Sequence, residues 1–431
     1  MTKENKEKII KNMEPKMKNI KVRLVGIGGG GGSIVSSVSC KVKGASFFAV
    51  DTDVRALNGL SRKVKKICFG EDITHGLGTG MDSELGRESI KNEKDKIKNI
   101  FKDQDVVILV GCLGGGLASG TASVLADLSK KAGSITYGIF TLPFNFEGKR
   151  KAKIAKKSLK EIRSYVNAFS VIPNERIFQT IDKAVPLKKA LAVINNHLSQ
   201  SIQGLVEVIY ETGLINIDFA DLEAIFAGRG SLAYLNSIKI NKNDDKKELA
   251  KKLINSSLYP YGIDGGEAVL FNISGQKNLS LSQVNKIAET ISEKVHKNAK
   301  IIFGISDAKS KTVTRVNLLV VGCDQATFFK KDEEKKIKKN IKKKVLKKKV
   351  TKKKVEKVVL KKNEKSKVKK VKKVVQKKKD KKVKIELKEK IGEIQKIRKN
   401  ALQVKEDIKK EEEDIISKEN LYKIPTFLRK K

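Results

Sequence analysis

The chain has 431 residues, enough for two or three domains of ~150 residues each, with 39% hydrophobic residues and a formal net charge of +44. Roughly +27 of that charge follows Phe329, so the basic balance describes a tail more than the folded part. Scattered cysteines (Cys40, Cys68, Cys112, Cys323) and histidines (His75, His197, His296) exclude a disulfide framework and a zinc cluster, and no apolar run approaches the ~20 residues that span a bilayer.

Residues 1–20 read as a loose charged arm with no secretory pattern, which implies a cytoplasmic protein. From Lys21 onward, strand candidates Val22–Ile27, Phe47–Val50, Val106–Val110, Ile135–Thr141 and Phe169–Ile172 alternate with amphipathic stretches such as Thr121–Lys131 and Lys151–Val166. That alternation predicts a mostly parallel sheet with helices on both faces over residues 21–185. Pro186 opens a long apolar-periodic segment, Leu187 to Tyr210, predicted as one central helix within 186–212 and ending near Gly213. Residues 213–329 read as a second, α+β region. Its strand candidates are Ser231–Ile240, Ala268–Ile273, Lys300–Ile305 and Val313–Val321, and its helices Lys246–Ser256 and Ser282–Val295. Residues 330–419 carry triple-lysine blocks that bury too little apolar surface to offset chain entropy, so an extended linker is predicted. Residues 420–431 close the chain with apolar residues and one proline, in the manner of a docking peptide.

Two glycine-rich loops carry the chemistry. Val22-Arg-Leu-Val-Gly-Ile-Gly-Gly-Gly-Gly-Gly-Ser33 and Val106-Val-Ile-Leu-Val-Gly-Cys-Leu-Gly-Gly-Gly-Leu-Ala-Ser-Gly-Thr121 each follow a strand and open a helix. Glycine lets backbone N–H groups converge on an anion, and a helix N-terminus adds unpaired donors and a positive dipole end. A single glycine run also serves as a tight turn, and no Gly-Lys-Ser/Thr closes either run. Two such runs in one α/β unit point to a nucleotide with several phosphates.

Together with Phe47-Phe-Ala-Val-Asp-Thr-Asp53, Gly76-Leu-Gly-Thr-Gly80, Pro143-Phe-Asn-Phe-Glu-Gly148, Ile172-Pro-Asn-Glu-Arg176, Gly213-Leu-Ile-Asn-Ile-Asp-Phe-Ala-Asp221 and the closing Ile424-Pro-Thr-Phe-Leu428, these segments make the chain resemble the FtsZ family of tubulin-like GTPases. The resemblance covers almost everything from Lys21 to Gly322, plus the last ten or so residues. It implies a tubulin-like α/β GTPase domain with a mostly parallel sheet, a long central helix, a second α+β domain and a disordered basic tail. It also implies GTP binding with Mg²⁺, head-to-tail polymerisation into the cytokinetic ring of bacterial division, and GTP hydrolysis at the subunit junction. Carried over by position, Gly29, Gly30, Gly31, Gly32 and Ser33, with Gly114, Gly115, Gly116, Ala118, Ser119 and Gly120, face phosphate. Glu147 and Lys151 fall at ribose positions and Asn196 at the guanine position. Asn216, Asp218 and Asp221 form the loop that enters the neighbour's nucleotide site. The terminal Ile424, Pro425, Phe427 and Leu428 are the expected contacts for membrane-tethering division proteins.

The chain departs from the family pattern at several of these places. The second segment has Leu117 where the family has a hydroxyl, and Ala118 where a residue of positive φ would be strained by about 1 kcal/mol or more. Ser33 replaces an Asn, the expected Arg is displaced to Arg150 beside Lys151, and Asn196 replaces an Asp that accepts both guanine donors. Asp218-Phe-Ala-Asp221 is also a good helix N-cap, so capping and catalysis both remain open for it. A structural filament protein with weak or no hydrolysis is the alternative. A polyanion-binding role for the lysine tail is a third reading. That stretch has no aromatic residue between Phe329 and Tyr422 to stack on bases, so only nonspecific contact with nucleic acid or anionic lipid is expected.

Overall fold

A computed structural model describes residues 20–182, 184–210, 214–240, 246–274, 281–306 and 314–324. The charged arm before Ile20, Gly213, the lysine-rich segment and the terminal peptide lie outside the described residues.

The first half of the fold is a parallel sheet. Strands β1 (Val22–Ile27), β2 (Ser46–Asp51), β3 (Lys65–Cys68), β4 (Val106–Cys112), β5 (Ile135–Leu142) and β6 (Ala168–Pro173) lie in the order β3-β2-β1-β4-β5-β6, every pair parallel. Leu24, Val25, Val107, Ile108, Leu109 and Val171 are fully buried, as expected for strands covered by helices on both faces. The covering helices are α1 (Gly28–Ser39), α2 (Val54–Asn58), α3 (Glu71–Thr74), α4 (Ser83–Lys91), α5 (Lys94–Lys98), α6 (Gly116–Lys131) and α7 (Lys149–Ile162). The edge strand β3 has no counterpart among the predicted strands. Lys65-Lys-Ile-Cys68 shows no apolar alternation; backbone pairing to β2 makes it a strand, and its exposed lysines blunt the sheet edge.

Helix α8 (Leu187–Tyr210) follows the predicted span. Ala190, Ile194, Leu198, Ile202 and Val206, four residues apart, form its buried stripe. It packs against α1 and also against the second half of the fold, where its Glu207 pairs with Arg315 at 2.6 Å. That half contains α9 (Phe219–Ile225), β7 (Ser231–Ile240), α10 (Lys246–Ile254), β8 (Ala268–Ser274), α11 (Leu281–Ser292), β9 (Lys300–Ser306) and β10 (Thr314–Val321). Strand β7 pairs parallel with β6 through only two residues and continues one ten-stranded sheet as β7-β10-β8-β9. Strand β10 is antiparallel to both its neighbours. All described strands and helices foreseen from the sequence are present, with ends shifted by a few residues. The largest shift is in α6, which begins at Gly116 rather than Thr121.

Candidate functional site

Strands β1 and β4 are neighbours, with Ile27 opposite Gly111, so the two glycine segments leave the sheet side by side. The first is helical rather than a loop. Gly28, at φ +72°, turns the chain out of β1 and begins α1. Gly29, Gly30 and Ser33 are exposed, while Gly31 and Gly32 are buried. Gly31 answers a packing need: a Cβ there would sit 2.3 Å from the Val110 carbonyl oxygen, closer than any real contact. Helix α1 has no side-chain cap and no acidic residue in its first turn. Its first N–H groups and dipole end therefore face outward without a protein carboxylate to answer them.

The second segment turns at Gly114 (φ +114°), whose N–H donates 2.9 Å to the buried Ser119 hydroxyl oxygen. Gly115 is the N-cap of α6, and a Cβ on it would meet nothing within 4 Å. Like α1, α6 has no side-chain cap and no first-turn carboxylate. Leu117 bridges the two segments, its Cδ2 lying 3.7 Å from where a Gly28 Cβ would be. Two expectations change here. Ala118 carries no strain: its φ is not positive, and it sits buried inside α6 against β4. Gly120 is also inside the helix, where a Cβ would fall 2.2 Å from the Ser83 carbonyl oxygen, so packing against α4 already requires a glycine.

Glu147 and Lys151 stand beside the second segment, since a Cβ on Gly114 would be 3.4 Å from the Lys151 carbonyl oxygen. The two side chains pair with each other at 2.8 Å, and Glu147 Oε1 also accepts the Phe144 N–H at 2.8 Å. Such a half-exposed pair is worth at most ~1 kcal/mol, so an incoming hydroxyl can displace it at small cost. Lys149, Arg150 and Lys151 open α7 against its dipole. Glu147 answers Lys151, which leaves Lys149 and Arg150 exposed and, among the described residues, without an ion pair at this helix start. Asn196 is exposed on α8, the helix that packs on α1.

The Gly76–Gly80 loop belongs to the same mouth. Gly80 O accepts the Gly116 N–H at 2.8 Å, and a Cβ on Gly116 would lie 2.7 Å from Thr79 Oγ1. Gly76, Gly78 and Gly80 all have positive φ; the alternate-glycine pattern was the sequence signal for it. Asp51, at the end of β2, accepts N–H bonds from Thr52 (2.7 Å) and Asp53 (3.0 Å), while burial pushes its carboxyl above the usual range.

Asn216, Asp218 and Asp221 lie elsewhere. Asp218 caps α9 by accepting the Asp221 N–H at 2.7 Å, and Asp221 accepts the Asp218 N–H at 3.1 Å. Asn216 is exposed beside Ile215, which pairs with Ile305 of β9. Strand β9 is six sheet positions from β4. At ~4.8 Å per step, β4 and β9 are on the order of 25–30 Å apart across the sheet. One subunit does not bring the two candidate half-sites together.

Chemically, the mouth suits a polyphosphate: two uncapped helix starts side by side, an open glycine between them, and two cations unpaired among the described residues, Lys149 and Arg150, at a third helix start. Among the described residues no group of His, Cys, Asp or Glu is arranged to hold a metal ion. A divalent cation here would ride on phosphate oxygens and water. Among the described residues no helix is long and apolar enough to cross a membrane.

This arrangement of parallel nucleotide-type sheet, long central helix and mixed second sheet defines the tubulin-like GTPase class. Residues 21–182 match the Tubulin/FtsZ family GTPase domain, and residues 233–324 match the FtsZ family C-terminal domain. The chain belongs to the FtsZ family. It is 34% identical over 307 residues to cell division protein FtsZ of Buchnera aphidicola subsp. Baizongia pistaciae (strain Bp), covering 70% of this chain and 79% of that protein. It is 34% identical over 304 residues to cell division protein FtsZ 1 of Methanocaldococcus jannaschii, covering 70% and 83%. The solved FtsZ dimer of M. jannaschii superposes with a TM-score of 0.66 at 33% identity, covering 75% of this chain and 93% of that one.

Proposed function

We propose that this chain is a GTP-binding cytoskeletal protein of cell division that polymerises head to tail and hydrolyses GTP where two subunits meet. The observation that carries this reading is the separation of the glycine mouth from Asp218 and Asp221 along one sheet. A site split in this way is completed only by a second copy, and contact between two different surfaces repeats into an open filament. Exposed apolar side chains support it: Val54, Leu77, Met81 and Phe146 lie around the mouth, and Leu214 and Ile215 adjoin Asn216 at the other half-site.

In this reading Gly29 to Ser33 and Gly114 to Gly116 receive the phosphates. Ala118, Ser119 and Gly120 hold the start of α6 in place behind them. Glu147 and Lys151 open to the ribose, and Asn196 faces the base. Asn216, Asp218 and Asp221 of the next subunit orient a water toward the γ-phosphate. Mg²⁺, when bound to the phosphates, neutralises their charge. The protein acts in the cytoplasm at the division site. Ile424, Pro425, Phe427 and Leu428 contact a membrane-tethering division protein, and the lysine segment adds nonspecific attraction to anionic surfaces.

The test is GTP turnover and light scattering measured against protein concentration on the full chain. Turnover with a concentration threshold, rising with scattering, is expected. Assembly without turnover would favour the structural-filament alternative, which the loss of a hydroxyl at Leu117 motivates. Turnover strictly linear in concentration, with no oligomers, would overturn the shared site.

A further inference from the structure

On a different face, α4, α6 and α7 enclose an open cleft of about 600 Å³, lined by Arg87, Lys91, Lys94, Ser123, Asp127, Lys160, Glu161 and Tyr165 among others. That volume is ordinary for a small-molecule site. Its walls are predominantly cationic. Both carboxylates are already answered: Asp127 pairs with Lys131 at 2.7 Å, and Glu161 pairs with Arg87 Nη2 and, at 3.9 Å, with Lys157. Lys91, Lys94 and Lys160 form no ion pair among the described residues and remain as net positive charge.

The lining also holds two unanswered donors. Ser123 is 4% exposed, and its hydroxyl has no hydrogen-bond partner. Arg87 Nε is buried and makes no hydrogen bond, with a Glu84 carboxylate oxygen 3.9 Å away, beyond hydrogen-bond distance. Buried polar atoms are almost always satisfied, so a pair of orphans in one cleft calls for a partner. A hydroxyl, a guanidinium N–H and several ammonium groups together are the donor set for a tetrahedral oxyanion.

We propose that this cleft is a second anion site, separate from the glycine mouth, and that it takes a small phosphate-class ligand. Arg87 Nε and the Ser123 hydroxyl donate to one phosphate group from the floor. Lys91, Lys94 and Lys160 close over the remaining charge from α4, the start of α5 and α7.

Inorganic pyrophosphate is the probe, and site-resolved lysine acylation of the full chain is the readout, because a bulk binding assay would also see the lysine tail. GDP is held at one fixed concentration that fills the glycine mouth, and every pyrophosphate effect is read against a GDP-only control, so that any GDP in the cleft is common to all arms. Pyrophosphate should slow acylation of Lys91, Lys94 and Lys160 several-fold, while exposed Lys41 and Lys63 react as before. Ser123→Ala should weaken the half-saturating pyrophosphate concentration about tenfold, the loss of one hydrogen bond to a charged group. Lys160→Gln, a surface change that leaves the fold intact, should weaken it too and keep Lys91 reactive at intermediate pyrophosphate. Equal slowing at Lys41 and Lys63 would mean general ionic screening and overturn the site. Protection that is unchanged in both variants would overturn it as well.

Discussion

Asp218 and Asp221 hold each other's backbone N–H groups, at 2.7 and 3.1 Å, across the first turn of α9. Both carboxylates therefore have a structural duty, and any catalytic duty must be separated from it. Asparagine caps a helix about as well as aspartate. Asp218→Asn should keep unfolding stability within ~0.5 kcal/mol of wild type while lowering GTP turnover by roughly 100-fold or more. Asp218→Ala should lose the same turnover and about 1 kcal/mol of stability besides. Urea melts beside phosphate-release assays decide it; an Asn variant that turns over normally would leave capping as the residue's whole role.

The glycines at the mouth divide into two kinds that composition alone does not distinguish. Gly31 faces the Val110 carbonyl with no room for a methyl group, whereas a Cβ on Gly29 would meet only Ala56 at an ordinary 3.7 Å. Gly31→Ala should destabilise by about 1–3 kcal/mol through overpacking. Gly29→Ala should be neutral or slightly stabilising, because helical alanine is favoured over glycine by ~0.5–1 kcal/mol. The same logic reverses the strain expectation at position 118. Ala118→Gly should cost up to about 1 kcal/mol rather than relieve anything. Thermal melts of the three variants rank them directly.

Most of the fold was legible in the residues. Apolar runs in β1, β4 and β5 and the four-residue stripe of α8 announce their own periods, because burial demands them. What the pattern did not carry was set by tertiary neighbours. Lys65–Cys68 becomes a strand only because β2 offers its edge, and the five glycines from Gly28 look like a loop until the approach of α1 to β4 explains them. Within the site, the motif residues could be named one by one, but their grouping could not. Only the strand order shows that Ile215, three residues before Asp218, pairs with a strand six positions from β4, and only packing brings Gly80 against Gly116.

His197 gives the fold a pH dependence. The imidazole lies largely buried on α8, its Nε2 has no hydrogen-bond partner, and burial pulls its pKa from 6.5 to about 4. The unfolded chain binds this proton first. Stability from this group is therefore complete above pH ~6.5 and is lost as pH falls toward 4, by up to about 3 kcal/mol. His197→Gln should flatten that slope. Denaturant melts from pH 7.5 to 4.5 on both proteins measure the difference, and parallel curves would show that the imidazole protonates freely in the folded chain.

Asn196 tests the base contact. An amide offers guanine one acceptor and one competing donor, so one of the two guanine donors goes unanswered, at a cost of roughly 1–3 kcal/mol. Asn196→Asp should tighten GTP about tenfold while leaving ATP unchanged or weaker. Calorimetry with both nucleotides reads the ratio, and identical GTP affinity in the two proteins would remove position 196 from the base site.

The split site makes a sharper demand than any single variant. Gly115 has an extended backbone that any residue adopts, and a side chain there would point into open space. Gly115→Trp should therefore fold normally while filling the mouth in front of both helix starts. Its Asp218 remains intact. Asp218→Ala subunits have the opposite defect, an intact mouth and a broken loop. Each protein alone should turn over GTP poorly. Mixed, an Asp218→Ala subunit can receive Asp218 from a Gly115→Trp neighbour, and only at that junction is a complete site formed. Part of the wild-type rate should return, greatest near equal proportions and falling on either side as like neighbours meet. Recovery requires contact between subunits, so it should also vanish on dilution below the assembly threshold. A mixture no more active than the sum of its parts, at concentrations where light scattering shows co-assembly, would place the reaction inside one subunit.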